Sequence, residues 1–215
     1  MRVWNKGISP FSWVLLLALL HIGLSTGDAQ APSEGYERPE LLAETDWLGQ
    51  HLSDPDLRIV DLRSEEAYRK NHIPGAVHLR WQALKDPEHE VSVVLPDWFA
   101  MLMSARGIGN ETTVIGYDDQ GGLNATWLWW VLDYYGHSRA RVLNGGWSKW
   151  MQERRPVTAE LPEPPSGSFT AKADPTKICL VDELLTDMNR GGVVIVDARS
   201  PGEFSGFDVR AKRGG

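Results

Sequence analysis

One short segment occurs twice in this chain, and that internal repeat constrains the possible folds more than any other feature of the sequence. Residues 60–64, with the sequence VDLRS, return as VDARS at residues 196–200. An aromatic residue keeps the same spacing, since Phe204 lies 136 positions after Tyr68, just as residue 196 lies 136 positions after residue 60. Apolar residues before the segment match in the same register: Leu48 with Leu184, and Leu52 with Met188. Because residue type and register are both preserved, the sequence predicts two copies of one domain.

The repeat divides the chain into unequal parts. The first copy covers residues 40–154, whereas the second begins at residue 176 and has only 40 residues as far as Gly215, so we expect it to be incomplete in this sequence. Residues 155–175 between them contain five prolines and a Ser-Gly-Ser triplet, a composition typical of an extended linker. The alternative is a long surface loop within one domain, but loops of that length are uncommon in compact domains.

Short runs rich in β-branched residues alternate with amphipathic stretches from residue 40 onward, which indicates a parallel α/β sheet with helices on both faces. The predicted strands are residues 57–62, 76–79, 112–117 and 139–143, followed by 193–196 in the second copy. The predicted helices are residues 64–70, 96–106, 124–135 and 147–153. Ser64 is placed to cap its helix, and Glu65 and Glu66 lie in the first turn, where the helix dipole favours negative charge.

The first 31 residues have the three parts of a secretory signal peptide. Arg2 and Lys6 give a basic start, residues 13–20 form an unbroken apolar run, and Ala29-Gln30-Ala31 is a small-residue cleavage site. The alternative is a membrane anchor, but the run is shorter than the ~20 apolar residues that a bilayer span needs. We therefore expect cleavage after Ala31, a mature N-terminal segment at residues 32–39 and no stable membrane insertion. The protein would be exported, to the periplasm in a Gram-negative bacterium and otherwise to the outside of the cell.

The composition argues against several classes of function. The formal net charge is -7, with 22 Lys and Arg against 29 Asp and Glu, so we expect no nucleic-acid partner. Cys179 is the only cysteine and the six histidines lack HxxH or HExxH spacing, so we expect no disulfide framework and no metal site. Gly107-Ile108-Gly109 lacks the third glycine of a dinucleotide fingerprint and precedes a strand. We therefore expect no cofactor.

Three motifs of the first copy resemble the tandem-domain rhodanese family of thiosulfate and 3-mercaptopyruvate sulfurtransferases. They are RIVDLRSEEAYRKNHIPGAVHL at residues 58–79, TTVIGYDDQGG at 112–122 and RVLNGGWSKW at 141–150, and VIVDARSPGEFSG at 194–206 adds the second copy. The resemblance implies a five-stranded parallel sheet in each domain, an inert first domain, and a reactive cysteine in the second that faces the cleft between them. The implied partners are a small sulfur donor, such as thiosulfate, and a thiophilic acceptor.

The chemistry of that family requires an ionised thiol that takes a sulfane sulfur from the donor and holds it as a persulfide. Backbone N–H groups that converge at a helix N-terminus favour the thiolate without a neighbouring base. The matching loop here is residues 118–123, and Asp118 occupies the position of the nucleophile. A carboxylate accepts the same N–H groups but has no sulfur chemistry. Cys179 matches no family motif, so it is interpreted as a buried or incidental thiol, and the catalytic cysteine is expected beyond residue 215.

The remaining motif residues are interpreted mainly as structural. The Asp61–Arg63 and Asp197–Arg199 pairs occur in both copies, which favours a role in bridging loops. A second interpretation lets Arg199 attract an anionic donor such as thiosulfate. Some members of the family carry a substrate-binding arginine where Glu203 stands here, so the donor stays open. The resemblance assigns structural roles to several turn residues: His72, Pro74, Gly75, Gly145 and Gly146.

A second hypothesis is a rhodanese-like binding or regulatory module without a nucleophile. A cysteine-dependent phosphatase of related fold would need a longer cysteine-arginine loop, which this sequence lacks. A cysteine that follows a β-rich run in the second copy would support the enzyme, and its absence would support the binding module.

Overall fold

The architecture is described from a computed structural model, which covers residues 35–88, 93–188, 190 and 192–209. The predicted signal peptide at residues 1–31 lies outside the described residues, as do residues 32–34 of the predicted mature N-terminal segment. Within the described ranges, no helix is both long and apolar enough to cross a bilayer.

Five parallel strands form one sheet. They are β1 (Leu42–Ala43), β2 (Leu57–Asp61), β3 (Val77–His78), β4 (Thr113–Tyr117) and β5 (Ala140–Leu143), in the order β1-β5-β4-β2-β3. The central register pairs Ile59 with Ile115 and Asp61 with Tyr117. Parallel strands between two helical layers are buried on both faces, which explains their nearly continuous apolar sequences. The predicted fold class, a five-stranded parallel α/β sheet, is confirmed.

Among the described residues, five α-helices accompany the sheet and two more follow it. They are α1 (Thr45–Gln50), α2 (Glu65–Lys70), α3 (Pro96–Ser104), α4 (Leu123–Tyr134), α5 (Gly146–Gln152), α6 (Val181–Asp187) and α7 (Pro201–Phe204). Ser64 caps α2 as expected, since its side chain accepts a hydrogen bond from the backbone N–H of Ala67 at 3.1 Å. The α2, α3 and α4 boundaries lie within two residues of those predicted, which is the usual uncertainty at helix ends.

Alternate residues of the central strands divide the core into two clusters, one on each face of the sheet. Val60 and Val114 pack on one face with residues of α3 and α4, including Phe99 and Leu128. The adjacent residues Ile59 and Ile115 point to the other face, where they pack with Leu48 of α1 and Trp150 of α5. The period of two in a strand thus supplies apolar side chains to both helical layers.

Residues 155–174, which we call the strap, are extended and bind along the domain. The Trp150 indole donates a hydrogen bond to the carbonyl of Pro156 at 2.9 Å, and Thr158 exchanges two backbone hydrogen bonds with His72. Further along, Phe169 is buried and contacts Phe99 edge to face at 5.4 Å. The segment also contributes the side chain of Phe169 to the core.

The repeat segment, residues 176–209, reproduces local elements of the first copy. Helix α6 begins 136 positions after α1, and α7 begins 136 positions after α2. The predicted strand at residues 193–196 is wrong, because these described residues form no strand. In the first copy, β2 is paired on both sides, by β3 and β4. Residues 193–196 have no such neighbours within the described part of the chain, and Val196 is 79% exposed whereas Val60 is 0% exposed.

Candidate functional site

The loop between β4 and α4 closes around the carboxylate of Asp118. One oxygen, Oδ1, accepts hydrogen bonds from the backbone N–H groups of Gln120 at 2.9 Å and Gly122 at 2.8 Å. The other, Oδ2, accepts from Asn124 at 2.7 Å and Ala125 at 2.9 Å. Asp118 is 1% exposed. We call these four N–H groups the cradle.

The local sequence explains why the N–H groups converge. Gly121 and Gly122 have φ values of +70° and +93°, in the left-handed region that glycine adopts without a steric penalty. The chain therefore turns tightly between the end of β4 and the first turn of α4, whose N–H groups have no partner inside the helix. A carboxylate at the positive end of the helix dipole satisfies them. The cradle is thus an anion site that is filled by the chain's own side chain.

A second glycine turn packs directly against the cradle. Gly145 and Gly146 have φ values of +78° and +53°, and the N–H of Trp147 donates to the carbonyl of Asp118 at 2.9 Å. A Cβ atom on Gly146 would lie 2.7 Å from that carbonyl oxygen, closer than real contacts allow. The Gly145-Gly146 pair therefore permits the start of α5 to approach the loop after β4.

An apolar cavity of about 700 Å³ lies beside the cradle. Its lining includes Trp129 and Trp130 of α4, Val142 of β5, and Tyr36. Trp130 also stacks against Trp127 at 5.2 Å, so part of the tryptophan-rich face of α4 is used in packing. The cavity adds apolar surface beside the cradle, whose N–H groups already bind Asp118.

The Asp61–Arg63 pair is buried next to this loop. The Arg63 guanidinium donates to both carboxylate oxygens of Asp61 at 2.7–3.1 Å and to the carbonyl of Asn71 at 2.6 Å. Its Cζ lies 3.7 Å from the ring centre of Trp147, and the Tyr117 hydroxyl donates to Asp61. Burial acts to lower the pKa of Arg63, but the hydrogen bonds and charge of Asp61 outweigh it and raise that pKa. The guanidinium therefore stays charged and is used within the domain.

Tyr117 and Trp147 were not among the residues singled out as members of this network. Burial, followed by the charge of Asp61, raises the pKa of the Tyr117 hydroxyl far above its usual value, so the phenol remains a donor to Asp61. The sequence gives their positions in the chain, because Tyr117 ends the predicted strand before the loop and Trp147 follows the glycine pair. Nothing in their spacing indicates that they meet over Arg63.

The turn after α2 is also structural in its contacts. His72 is fully buried, and its ring stacks on Tyr68 at 4.2 Å. Pro74 is partly buried in the turn, and Gly75 has a φ of +78°, which turns the chain into β3. The backbone N–H of Ile73 donates to the Tyr117 hydroxyl at 3.2 Å. The turn is thereby tied to the end of β4.

In the repeat segment, Asp197 and Arg199 repeat the geometry of the first pair. Arg199 donates to both oxygens of Asp197 at 2.7–3.0 Å, but its side chain is 47% exposed. The Glu203 carboxylate accepts a hydrogen bond from the backbone N–H of Ser200 at 3.0 Å, and the Ser200 hydroxyl accepts one from the backbone N–H of Glu203 at 3.2 Å. These bonds form a capping box at the start of α7. Glu203 therefore stabilises a helix end, and Arg199 is bound to Asp197.

Cys179 is exposed and lies just before α6. Its Sγ lies 3.6 Å from the carbonyl of Leu180, and no converging N–H groups surround it among the described residues. The repeat spacing matches it to Ala43, a fully buried residue of β1. Within the described part of the chain, no group of three or more His, Cys, Asp or Glu side chains is placed to hold a metal ion.

Comparison with known proteins places the geometry in context. A family model for the rhodanese-like domain matches residues 44–153. The sulfur carrier protein TtuD of Thermus thermophilus is 36% identical over 178 residues, which cover 80% of this chain and 62% of that protein. A thiosulfate sulfurtransferase of Corynebacterium glutamicum is 36% identical over 180 residues, which cover 81% and 60%. This chain thus spans about 60% of the length of these curated relatives.

Solved structures give the same relationship. The structure of SseA from Escherichia coli, a 3-mercaptopyruvate sulfotransferase, superimposes with a TM-score of 0.72 at 28% identity. The match covers 81% of this chain and 71% of that one.

Proposed function

Because the chain belongs to the rhodanese family of sulfurtransferases, we propose that it is the first part of an exported enzyme that moves sulfane sulfur through a cysteine persulfide. The donor is thiosulfate or a related compound, and the acceptor is thiophilic. The observation that carries the proposal is the cradle after the central strand of a rhodanese-like domain. In this cradle, four backbone N–H groups donate to one carboxylate. A reactive thiolate requires the same kind of stabilisation of its negative charge.

The proposed reaction has two steps. A cysteine thiolate attacks the outer sulfur of thiosulfate, so that a new S–S bond forms on the enzyme while the S–S bond of the donor breaks and sulfite leaves with the electron pair. The acceptor then attacks the terminal persulfide sulfur, and the thiolate is released. N–H groups of a cradle stabilise negative charge on the cysteine sulfur before and after transfer.

The nucleophile is proposed to lie beyond residue 215, in the rest of a second copy. The repeated spacing of α6 and α7 supports this, as does the pattern of exposure in the repeat segment. Apolar residues that are exposed there match buried residues of the first copy: Ile195 with Ile59, Val196 with Val60, and Phe204 with Tyr68. The chain's span of about 60% of its relatives also leaves room for such a domain.

The test compares residues 32–215 with the longer natural chain in a thiosulfate-to-cyanide transfer assay. We expect thiocyanate only from the longer chain, together with a persulfide of one sulfur on a cysteine beyond residue 215, detected by mass spectrometry. Turnover by residues 32–215, lost on Cys179→Ser, would contradict the assignment of Cys179 as a bystander.

A second candidate function is a non-catalytic rhodanese-fold binding or regulatory module. Asp118 favours it, because the one cradle within the described residues is filled by a carboxylate. The natural chain separates the two candidates. A longer chain without a cysteine at the position matching Asp118, and without sulfur transfer, supports the module.

A further inference from the structure

A buried histidine lies near each end of the strap, and between the two, Ser104 and Asn110 bind residues 167–170 by hydrogen bonds. His72 contacts the first part of the strap, at Thr158 and Glu160. His137 follows α4 and contacts the second part, where its ring centre lies 5.6 Å from that of Phe169. The two imidazoles differ in their hydrogen bonding.

Both ring nitrogens of His72 face carbonyl oxygens. Nδ1 lies 2.8 Å from the carbonyl oxygen of Tyr68, and Nε2 lies 3.0 Å from that of Glu160 in the strap. A neutral imidazole carries one N–H, so the ring donates to one of these two oxygens. His72 thus connects α2 to the first part of the strap.

His137 has the opposite environment. It is 1% exposed, and neither ring nitrogen makes a hydrogen bond of normal geometry with the described residues. The imidazolium would place a second N–H donor and a charge in this buried position, which is costly. Burial lowers the pKa of His137, and this outweighs the opposing effect of the nearby backbone of Thr112 and Arg139; the charges of Arg139, which lowers the pKa, and of Glu111, which raises it, contribute less. Arg139 and Glu111 are themselves paired at 3.0 Å.

The turn that carries His137 also holds the second part of the strap by backbone contacts. The backbone N–H of Lys172 donates to the carbonyl of Tyr135 at 3.1 Å, and the backbone N–H of Asp174 donates to the carbonyl of Tyr134 at 2.8 Å. A Cβ atom on Gly136 would lie 3.3 Å from the carbonyl oxygen of Lys172, so the turn and the strap are closely packed. A rearrangement that hydrates His137 must therefore disturb these contacts.

We propose that acid loosens the end of the strap, residues 171–174, by protonating His137. Residues 167–170 stay bound through Ser104 and Asn110, and the first part of the strap stays bound through the backbone pairing of Thr158 with His72. The strap leads directly into the repeat segment, so its release loosens the attachment of that segment to α4. If the proposed function is correct, this regulates the site by changing how firmly the two copies are held together. The release itself does not depend on sulfur transfer.

The test is amide hydrogen exchange of the full chain at about pH 7.5 and about pH 5, on either side of the ordinary histidine pKa, with rates corrected for intrinsic pH dependence. We expect protection of the Lys172 and Asp174 amides to fall in acid, by at most about thirtyfold, because pH 5 lies about 1.5 units below the ordinary histidine pKa of about 6.5. Protection of the Thr158 amide, which donates to the backbone carbonyl of His72, should be kept. Equal losses at all three amides would overturn the proposal.

Two substitutions assign the effect. His137→Phe removes the titrating group and should abolish the acid-induced loss at residues 171–174, whereas His51→Gln, at a histidine that stacks on Trp47 at the end of α1, should retain it. Retention of the loss in His137→Phe would refute the role of His137. If that variant does not fold, an NMR titration of the imidazoles in the unsubstituted chain decides, because an ordinary pKa for His137 rejects the proposal.

Discussion

Replacement of Asp118 by alanine tests whether the cradle is held in shape by the chain's own carboxylate. The substitution removes the acceptor of four backbone hydrogen bonds at 2.7–2.9 Å. It leaves four N–H donors of a tight loop without the acceptor that they have in the structure. The loss should therefore appear as reduced stability of the first domain.

The size of the effect follows from which donors water can reach. Gln120 is exposed and Gly122 is partly so, whereas Asn124 and Ala125 are buried. A buried donor left unsatisfied costs about 1–3 kcal/mol, and hydrogen bonds to a charged group contribute about 1.5–3 kcal/mol each but are not additive. We expect the free energy of unfolding to fall by about 3–5 kcal/mol, as when one partner of a buried charged network is removed.

Urea denaturation of residues 32–215 measures this change, and Asp119→Ala is the matched control. Asp119 is the next residue in the same loop but is exposed, so its replacement should change the free energy of unfolding by no more than about 0.5 kcal/mol. A loss below about 1 kcal/mol in Asp118→Ala would refute the view that the carboxylate organises the loop.

The emptied cradle should also bind an external anion. Sulfate or thiosulfate should stabilise Asp118→Ala more than the unsubstituted chain, by about 2.7 kcal/mol at a ligand concentration one hundred times its dissociation constant. Equal stabilisation of both proteins would mean that the anion acts elsewhere on the surface.

Three further outcomes are expected. Gly146→Ala should destabilise the domain by about 1–3 kcal/mol in thermal unfolding because of its left-handed φ and its contact with Asp118, and by more than Gly121→Ala, where a Cβ meets nothing within 4 Å. Amides of residues 176–209 should exchange faster than those of residues 40–153, and equal protection would contradict the domain boundary. The exported protein should begin at Pro32 in N-terminal sequencing, and an N-terminus still at Met1 after export would contradict cleavage.

The sequence predicts most of the sheet because its strands are buried on both faces and therefore have distinctive apolar runs. β2, β4 and β5 are found within one residue of the predicted bounds. β1 was not predicted, because Leu42 and Ala43 alone are too short to give a pattern. Its place at the edge beside β5 depends on pairing, which is a property of the fold and not of the local sequence.

Contacts between distant segments set the limits of prediction in the site. The loop around Asp118 was located from its family motif, but the four donors that surround the carboxylate depend on loop geometry. The strap was expected to be an extended linker from its prolines. Its burial of Phe169 could not be read from composition, since a single aromatic residue in a proline-rich stretch carries no periodic signal.

The two Asp-x-Arg pairs separate what the local sequence determines from what the fold adds. Arg63 and Arg199 make the same hydrogen bonds to their aspartates, so the pair geometry belongs to the repeated segment itself. Only Arg63 is covered by Trp147 and joined to Tyr117 through Asp61, because those residues come from later elements of the same domain. If the second copy is completed in the same way, Arg199 will be buried as well and will have no donor free for thiosulfate. Recognition of an anionic sulfur donor would then fall to the N–H groups of the second cradle, which are the groups that Asp118 occupies in the first.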